Sequence, residues 1–265
     1  MVKRAGIAAL LAVALVCGGR VDALTATAVP AAVHRSARSY GAWGAGYIAH
    51  APSGKRFTEA SVTFVVPRQA PRPPRRGVAW VGIWVGIGVH AVGGSQLMQA
   101  GVYLATEAGR RGWRLEVPWW VNEPARPQRP HTLMLNVEPG DRIAVRVRQS
   151  EGDRDRWHFT VRDLTSNRVA RGECRGCEST ARAAGWIVED PAGLPYANPG
   201  RVRFQAASAA LNGGKARSLV RLAPTAVLRK TAQGGDGPTK PQAGSGAFVV
   251  GRVRQRPLGT VPQRR

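Results

Sequence analysis

The chain has 265 residues and a mass of 28.3 kDa, enough for one large domain or two small ones with a sizeable core. With 43% hydrophobic residues, 32 glycines and 19 prolines, it falls outside the collagen-like and fully disordered classes. Its 39 basic residues against 16 acidic ones give a net charge of +23, and all but five of the basic residues are arginine; such an excess raises nucleic acid or an anionic surface as a partner.

Residues 1–28 read as a secretory signal peptide. Lys3 and Arg4 form a basic start, and the apolar run from Ala5 to Val16 is too short for a membrane span. Small-residue cleavage sites follow at Val21-Asp22-Ala23 or Ala26-Thr27-Ala28. The expected location is therefore extracellular. Cys17 leaves with the signal, and Cys174 and Cys177 remain. In an oxidising compartment a local disulfide between them is the first reading, ahead of free thiols or a metal site. Residues 29–38 read as a linker or short propeptide.

From there the pattern is of strands. Val62, Phe64 and Val66 alternate with polar neighbours, and further strands are expected over 79–87, 96–104 and 113–121. Ile143, Val145 and Val147 alternate with Arg142, Ala144, Arg146 and Arg148. Trp157, Phe159 and Val161 alternate with Arg156, His158, Thr160 and Arg162. Both are half-buried strands with arginine outward. Later candidates are 185–190, 201–207, 217–222, 225–230 and 246–254, punctuated by turns such as Pro139-Gly140-Asp141 and Asn212-Gly213-Gly214. Arg68 to Arg76 is a stiff basic loop, Gln233 to Gly246 a Gly/Pro-rich stretch, and 255–265 a basic C-terminal tail. Many short strands and no long helical stripe predict an all-β antiparallel sandwich or barrel. The arginines are spread along the chain on outward positions, which favours an evenly solvated basic surface over a dedicated nucleic-acid patch.

The common catalytic signatures are absent: no Gly-x-Ser-x-Gly elbow, no His-Glu-x-x-His and no phosphate-binding glycine loop. The five histidines are scattered. One carboxylate stands out within an apolar strand. In Trp186-Ile187-Val188-Glu189-Asp190, alternation puts Glu189 on the face of Ile187, opposite Trp186, Val188 and Asp190. A carboxylate there must be paired, hydrogen-bonded or functional, or else reach solvent at the strand end before Pro191. Gln96 and Gln99 fall on opposite faces of their strand, so one of them points inward and needs partners. A glutamine amide beside a glutamate acid/base would suit attack of water on a carbonyl.

These residues lie in an ordered set of motifs from residue 39 to 254. Trp43-Gly44-Ala45-Gly46-Tyr47, Val62-Thr63-Phe64-Val65-Val66-Pro67, Trp84-Val85-Gly86-Ile87-Gly88, Leu97-Met98-Gln99-Ala100-Gly101, Pro118-Trp119-Trp120-Val121-Asn122-Glu123-Pro124 and Gly185-Trp186-Ile187-Val188-Glu189-Asp190 follow one another in sequence. Together they resemble the glutamic peptidase (eqolisin) family of secreted acid endopeptidases. The resemblance implies a β-sandwich of two bent antiparallel sheets over 39–254, Glu189 as general acid/base and Gln99 as its partner on the attacking water. It also implies that Trp119 and Trp84 line the substrate cleft, and that no metal or cofactor is required. Protein or peptide substrates, no specific nucleic acid and a monomeric chain complete the expectation. The chain departs from the family pattern at Gly88, Val121, Gly185 and Pro191, where acidic or aromatic residues are usual. Two alternatives remain: a non-catalytic sandwich that binds polyanions or cell-wall glycans, and a glycan-cleaving sandwich, which would need a second carboxylate beside Glu189.

Overall fold

A computed structural model describes residues 37–38, 44–89, 96–122, 131–189, 195–227, 229–231 and 234–253. The expected signal segment 1–28, Pro191 and the tail 255–265 lie outside the described residues.

In chain order the strands are β1 (Ala37–Arg38), β2 (Gly44–His50), β3 (Phe57–Val65), β4 (Val78–Ile87), β5 (Leu97–Glu107) and β6 (Arg114–Glu116). They continue with β7 (Pro118–Asn122), β8 (His131–Thr132), β9 (Arg142–Ser150), β10 (Asp153–Asp163), β11 (Arg168–Cys174) and β12 (Ala183–Glu189). The last are β13 (Val202–Leu211), β14 (Arg217–Ser218), β15 (Thr225–Val227), β16 (Arg229–Thr231), β17 (Gly234–Pro238) and β18 (Phe248–Val253). They form two nine-stranded sheets. The first runs β1-β15-β2-β12-β4-β5-β7-β8 with β6 beside β5, and the second runs β11-β10-β9-β3-β13-β18-β17-β16 with β14 beside β13. Neighbours are antiparallel except the short β1–β15 pair. The fold is an antiparallel β-sandwich, as the periodicity and the resemblance predict.

Alternation explains the second sheet. β9 buries Ile143, Val145 and Val147 and exposes Arg142, Arg146 and Arg148. β10 does the same with Trp157, Phe159 and Val161. These inward side chains meet Val81, Ile83, Val85, Met98, Val102, Trp186 and Val188 of the first sheet in one continuous core. Burial of each large apolar side chain there stabilises the fold by about 1.5–3 kcal/mol. The centre of the first sheet is different, because it is covered on both faces. Ile48, Trp84, Val89, Ala183, Ile187 and Val227 make a second, smaller cluster on its outer side. That is why β4 and β12 read as nearly unbroken apolar runs rather than alternating ones.

Several boundaries differ from the sequence expectation. The sheet begins at Ala37, inside the segment read as a linker. The stretch 113–121 divides at Val117 into β6 and β7. Residues 217–222 give only a two-residue strand before a 3₁₀ turn at Leu219–Leu222, ended by Ala223 in the left-handed region. The Gly/Pro-rich stretch contains β17, which pairs antiparallel along β18; its glycines give no side-chain alternation to read. Cys174 and Cys177 are joined by a disulfide at the end of β11.

Candidate active site

The outer face of the first sheet is a grid fixed by register. Three cross-strand rows run over β2, β12, β4 and β5. The first is Gly44, Glu189, Gly82, Tyr103; the second is Gly46, Ile187, Trp84, Gly101; the third is Ile48, Gly185, Gly86, Gln99. Trp120 of β7 is the register partner of Gln99 and extends the third row. Large and small residues alternate along and across the strands. β4 supplies Trp80, Gly82, Trp84 and Gly86 at alternate positions, so every second cell is empty of side chain.

The empty cells are where the polar side chains lean. A Cβ on Gly82 would sit 2.9 Å from Cζ and 3.1 Å from the hydroxyl oxygen of Tyr103. A Cβ on Gly86 would sit 3.0 Å from that of Gln99, and one on Gly101 would sit 2.7 Å from that of Trp84. Tyr103 therefore lies across Gly82 toward β12. Its hydroxyl donates a 2.7 Å hydrogen bond to Oε1 of Glu189. The Gln99 side chain lies near enough to the same hydroxyl to act on its electrostatics. The two residues singled out in the sequence thus both act on the Tyr103 hydroxyl, although they stand two strands and two rows apart.

Burial sets the electrostatics. Gln99 and Tyr103 are each 3% exposed, and Glu189 is half-buried at the end of its strand. Burial first, and the Glu189 charge and hydrogen bond next, push the Tyr103 hydroxyl well above the ordinary phenol range, against a smaller opposing effect of Gln99. Tyr103 therefore remains a proton donor to the carboxylate through acid and neutral pH. Two further polar atoms are buried here without a protein partner among the described residues: Oε1 of Gln99 and the indole N–H of Trp84. Buried polar atoms of this kind are usually satisfied by water or ligand. The site thus offers a carboxylate, an amide and an indole donor on one apolar floor.

The sequence-derived residues divide into two groups. Glu189, Gln99 and Trp84 share the outer face, and Glu189 lies on the side of Ile187 as alternation requires. Trp119 does not belong to that face. It pairs with Ala100, whose side chain is in the inter-sheet core, and it stacks on Phe159 with ring centroids 4.5 Å apart and on His131 at 4.2 Å. A Cβ on Gly172 of β11 would lie 2.3 Å from the Trp119 indole nitrogen. The resemblance put Trp119 in the cleft; the fold makes it a core residue, because β7 enters the sheet with odd positions inward. Val121 follows the same parity and packs on the core. Gly88 has φ +91°, and a Cβ there would fall 2.3 Å from the Gln96 carbonyl oxygen, so only glycine fits. Tyr103 went unnoticed in the sequence. Its signal was available, since Gln99, Gly101 and Tyr103 alternate on one strand and must share a face.

A profile of the Peptidase A4 family matches residues 42–247. Scytalido-glutamic peptidase, solved with a transition state analog inhibitor, is similar in structure with a TM-score of 0.61 at 17% identity, over 82% of this chain and 100% of that one. SCP-B, a member of the eqolisin family solved with the tripeptide Ala-Ile-His, gives 0.59 at 17% identity over 82% and 100%. Aspergilloglutamic peptidase from Aspergillus niger gives 0.52 at 21% identity over 66% and 99%. No curated protein matches the chain in sequence. The structural likenesses establish the shared sandwich, and the profile covers most of the chain: it belongs to the Peptidase A4 family, the glutamic peptidases or eqolisins.

Proposed function

We propose that the protein is a secreted endopeptidase that works in acid, with water activated between Glu189 and Gln99. The carboxylate of Glu189 takes a proton from the water as the oxygen attacks the scissile carbonyl carbon. The Gln99 amide orients that water and stabilises the oxyanion as it forms. The proton held on Glu189 then passes to the leaving amine as the C–N bond breaks, which returns the carboxylate to its starting state. Tyr103 acts as a positioning residue. It fixes Oε1 of Glu189 and thereby sets the direction in which the second carboxylate oxygen lies.

The observation that supports this reading is that Glu189 and Gln99 share the outer face of one sheet and both act on the Tyr103 hydroxyl, while the buried Oε1 of Gln99 is left for a water to satisfy. Acid operation follows from the chemistry of the base. A carboxylate remains partly ionised at pH values where a histidine would be locked in its protonated form. Export is supported by the character of residues 1–28.

The test is cleavage of an unfolded protein across an acid-to-neutral pH range. Glu189→Gln and Gln99→Ala are each expected to lower turnover by at least about 100-fold, with the thermal unfolding midpoint retained. Full activity in both variants would overturn the assignment.

A further inference from the structure

The fold sorts the charge of the chain between its two faces. The three rows around Glu189 are glycine, aromatic, aliphatic and amide positions, with Glu189 their one charge. The outer face of the second sheet is the reverse. Arg142, Arg146, Arg148, Arg162, Arg171 and Arg203 are all exposed there. The register sets Arg146, Thr160 and Arg171 side by side across β9, β10 and β11, with Arg162 in the next row beside Ala144. Strands alternate at about 6.6 Å per pair of residues and stand about 4.8 Å apart, so these guanidinium groups form a flat array about 7 to 10 Å from one another.

Two carboxylates stand among these arginine rows in the described residues, with Asp153 and Asp155 beyond them at the start of β10. Glu59 is shared by Arg146 and Arg148. Glu173 is taken by Arg156 and Arg175. Arg162 is held by the neutral amide of Asn167. Arg142, Arg171 and Arg203 have no acidic partner among the described residues. At the Arg148 end the face runs into a cavity of about 1040 Å³, whose lining adds Lys55, Arg56, Arg154 and Arg182 against Glu151 and Asp153. An open array of this size cannot close around a small anion. It matches a chain of repeated negative charges.

The neutral positions narrow the class. Between the arginines stand hydroxyls, Ser61, Thr63 and Thr160, suited to sugar hydroxyl groups. The outward positions of β3, β9 and β10 carry no Phe, Tyr or Trp on which bases could stack, and their one imidazole, His158, is tied by hydrogen bond to the Ser150 hydroxyl and lies beside Glu173. We infer that the outer face of the second sheet is a docking surface for a linear anionic polysaccharide, which would hold the peptidase on the polymer with its Glu189 face turned away. The docking surface is independent of the Glu189 chemistry, because the two lie on opposite sides of the sandwich.

The experiment is salt elution of the whole protein from immobilised dextran sulfate. A triple variant, R142T/R162T/R171T, removes three outward cations at strand positions that threonine suits. Its elution is expected at lower salt, with the dependence of log affinity on log salt shallower by about 2 to 3. A matched variant, R75T/R76T/R111T, takes the same charge from loops beside β4 and β5 and is expected to elute with the parent. Both are expected to cleave a soluble peptide at the parental rate. An equal loss in the loop variant would overturn the proposal, since net charge alone would then account for retention. So would tighter binding to immobilised duplex DNA than to dextran sulfate, or absence of retention at about 150 mM salt.

Discussion

Tyr103 and Glu189 are joined by a 2.7 Å hydrogen bond across 86 residues of sequence. The bond exists because β12 is inserted between β2 and β4, so that only Gly82 separates the phenol from the carboxylate. A hydrogen bond donated to a carboxylate favours its charged form. Tyr103→Phe removes the donor and leaves the ring in its cell. A charge-assisted bond of this kind contributes about 1.5–3 kcal/mol, so the acid limb of kcat/KM is expected to move up by about one to two pH units. A pH–rate profile measures it. A uniform loss of rate with an unmoved acid limb would show that Tyr103 has only a packing role.

Gly82 gives an independent handle on the same contact. A methyl group there would press within 2.9 Å of the far end of the Tyr103 ring. That end can swing, whereas the backbone cannot, so Gly82→Ala should relieve the clash by pushing the hydroxyl off Glu189. The expected result is a fall in kcat/KM comparable to that of Tyr103→Phe, at a stability cost of about 1–3 kcal/mol from overpacking. Parallel assays of activity and thermal unfolding separate the two. Unchanged activity with the methyl in place would mean that the Tyr103–Glu189 bond is dispensable.

Much of this site was legible before the structure, for a physical reason. Glu189 is one polar residue in an apolar run, and the period of two fixes its face from its neighbours alone. Gln99 carried the same kind of signal. Tyr103 shares the face of Gln99 by the same alternation, but a phenol in Leu97–Glu107 looks like any other buried aromatic until its hydroxyl partner is known. Glu116 and Asn122 share the parity of Trp120, and Val117 and Val121 that of Trp119, so alternation points Trp119 inward against the family resemblance, and the stack on Phe159 decides for it. In the sequence the arginines are spread along the chain. Alternation showed that they point outward, but only the strand order β11-β10-β9-β3 shows that they point outward from the same sheet. Strand order depends on long-range pairing, which local periodicity does not contain.

The placement of Trp119 makes a prediction opposite to that of a cleft residue. It is 8% exposed and sandwiched between His131 and Phe159. Trp119→Ala should leave a cavity between the sheets and cost about 3–5 kcal/mol. Trp119→Phe, which keeps a ring in the stack, should recover most of that loss. KM for a peptide substrate is expected to stay at the parental value in Trp119→Phe. A large rise in KM with stability intact would return Trp119 to the cleft.

Stability in acid depends on the turn after β10. Asp163 is fully buried at the strand end. Burial alone would raise its carboxyl, but the Ser166 hydroxyl and the backbone N–H groups of Thr165 and Ser166 all donate to it and hold it below the ordinary carboxylate range. A depressed carboxylate contributes stability that is fully present above its unfolded pKa, about 3.9, and is lost as the pH falls through the folded value. Asp163→Asn is therefore expected to lower stability at neutral pH by about 1–3 kcal/mol, with the difference from the parent shrinking below about pH 4. Glu173 is the contrast. Arg156 and Arg175 hold it down to about 2, but the group is open to water on the surface. Solvent screens such pairs, so Glu173→Gln should leave the acid unfolding curve nearly unchanged. Denaturant unfolding at a series of pH values tests both, and an acid transition that tracks Glu173 rather than Asp163 would reverse the assignment.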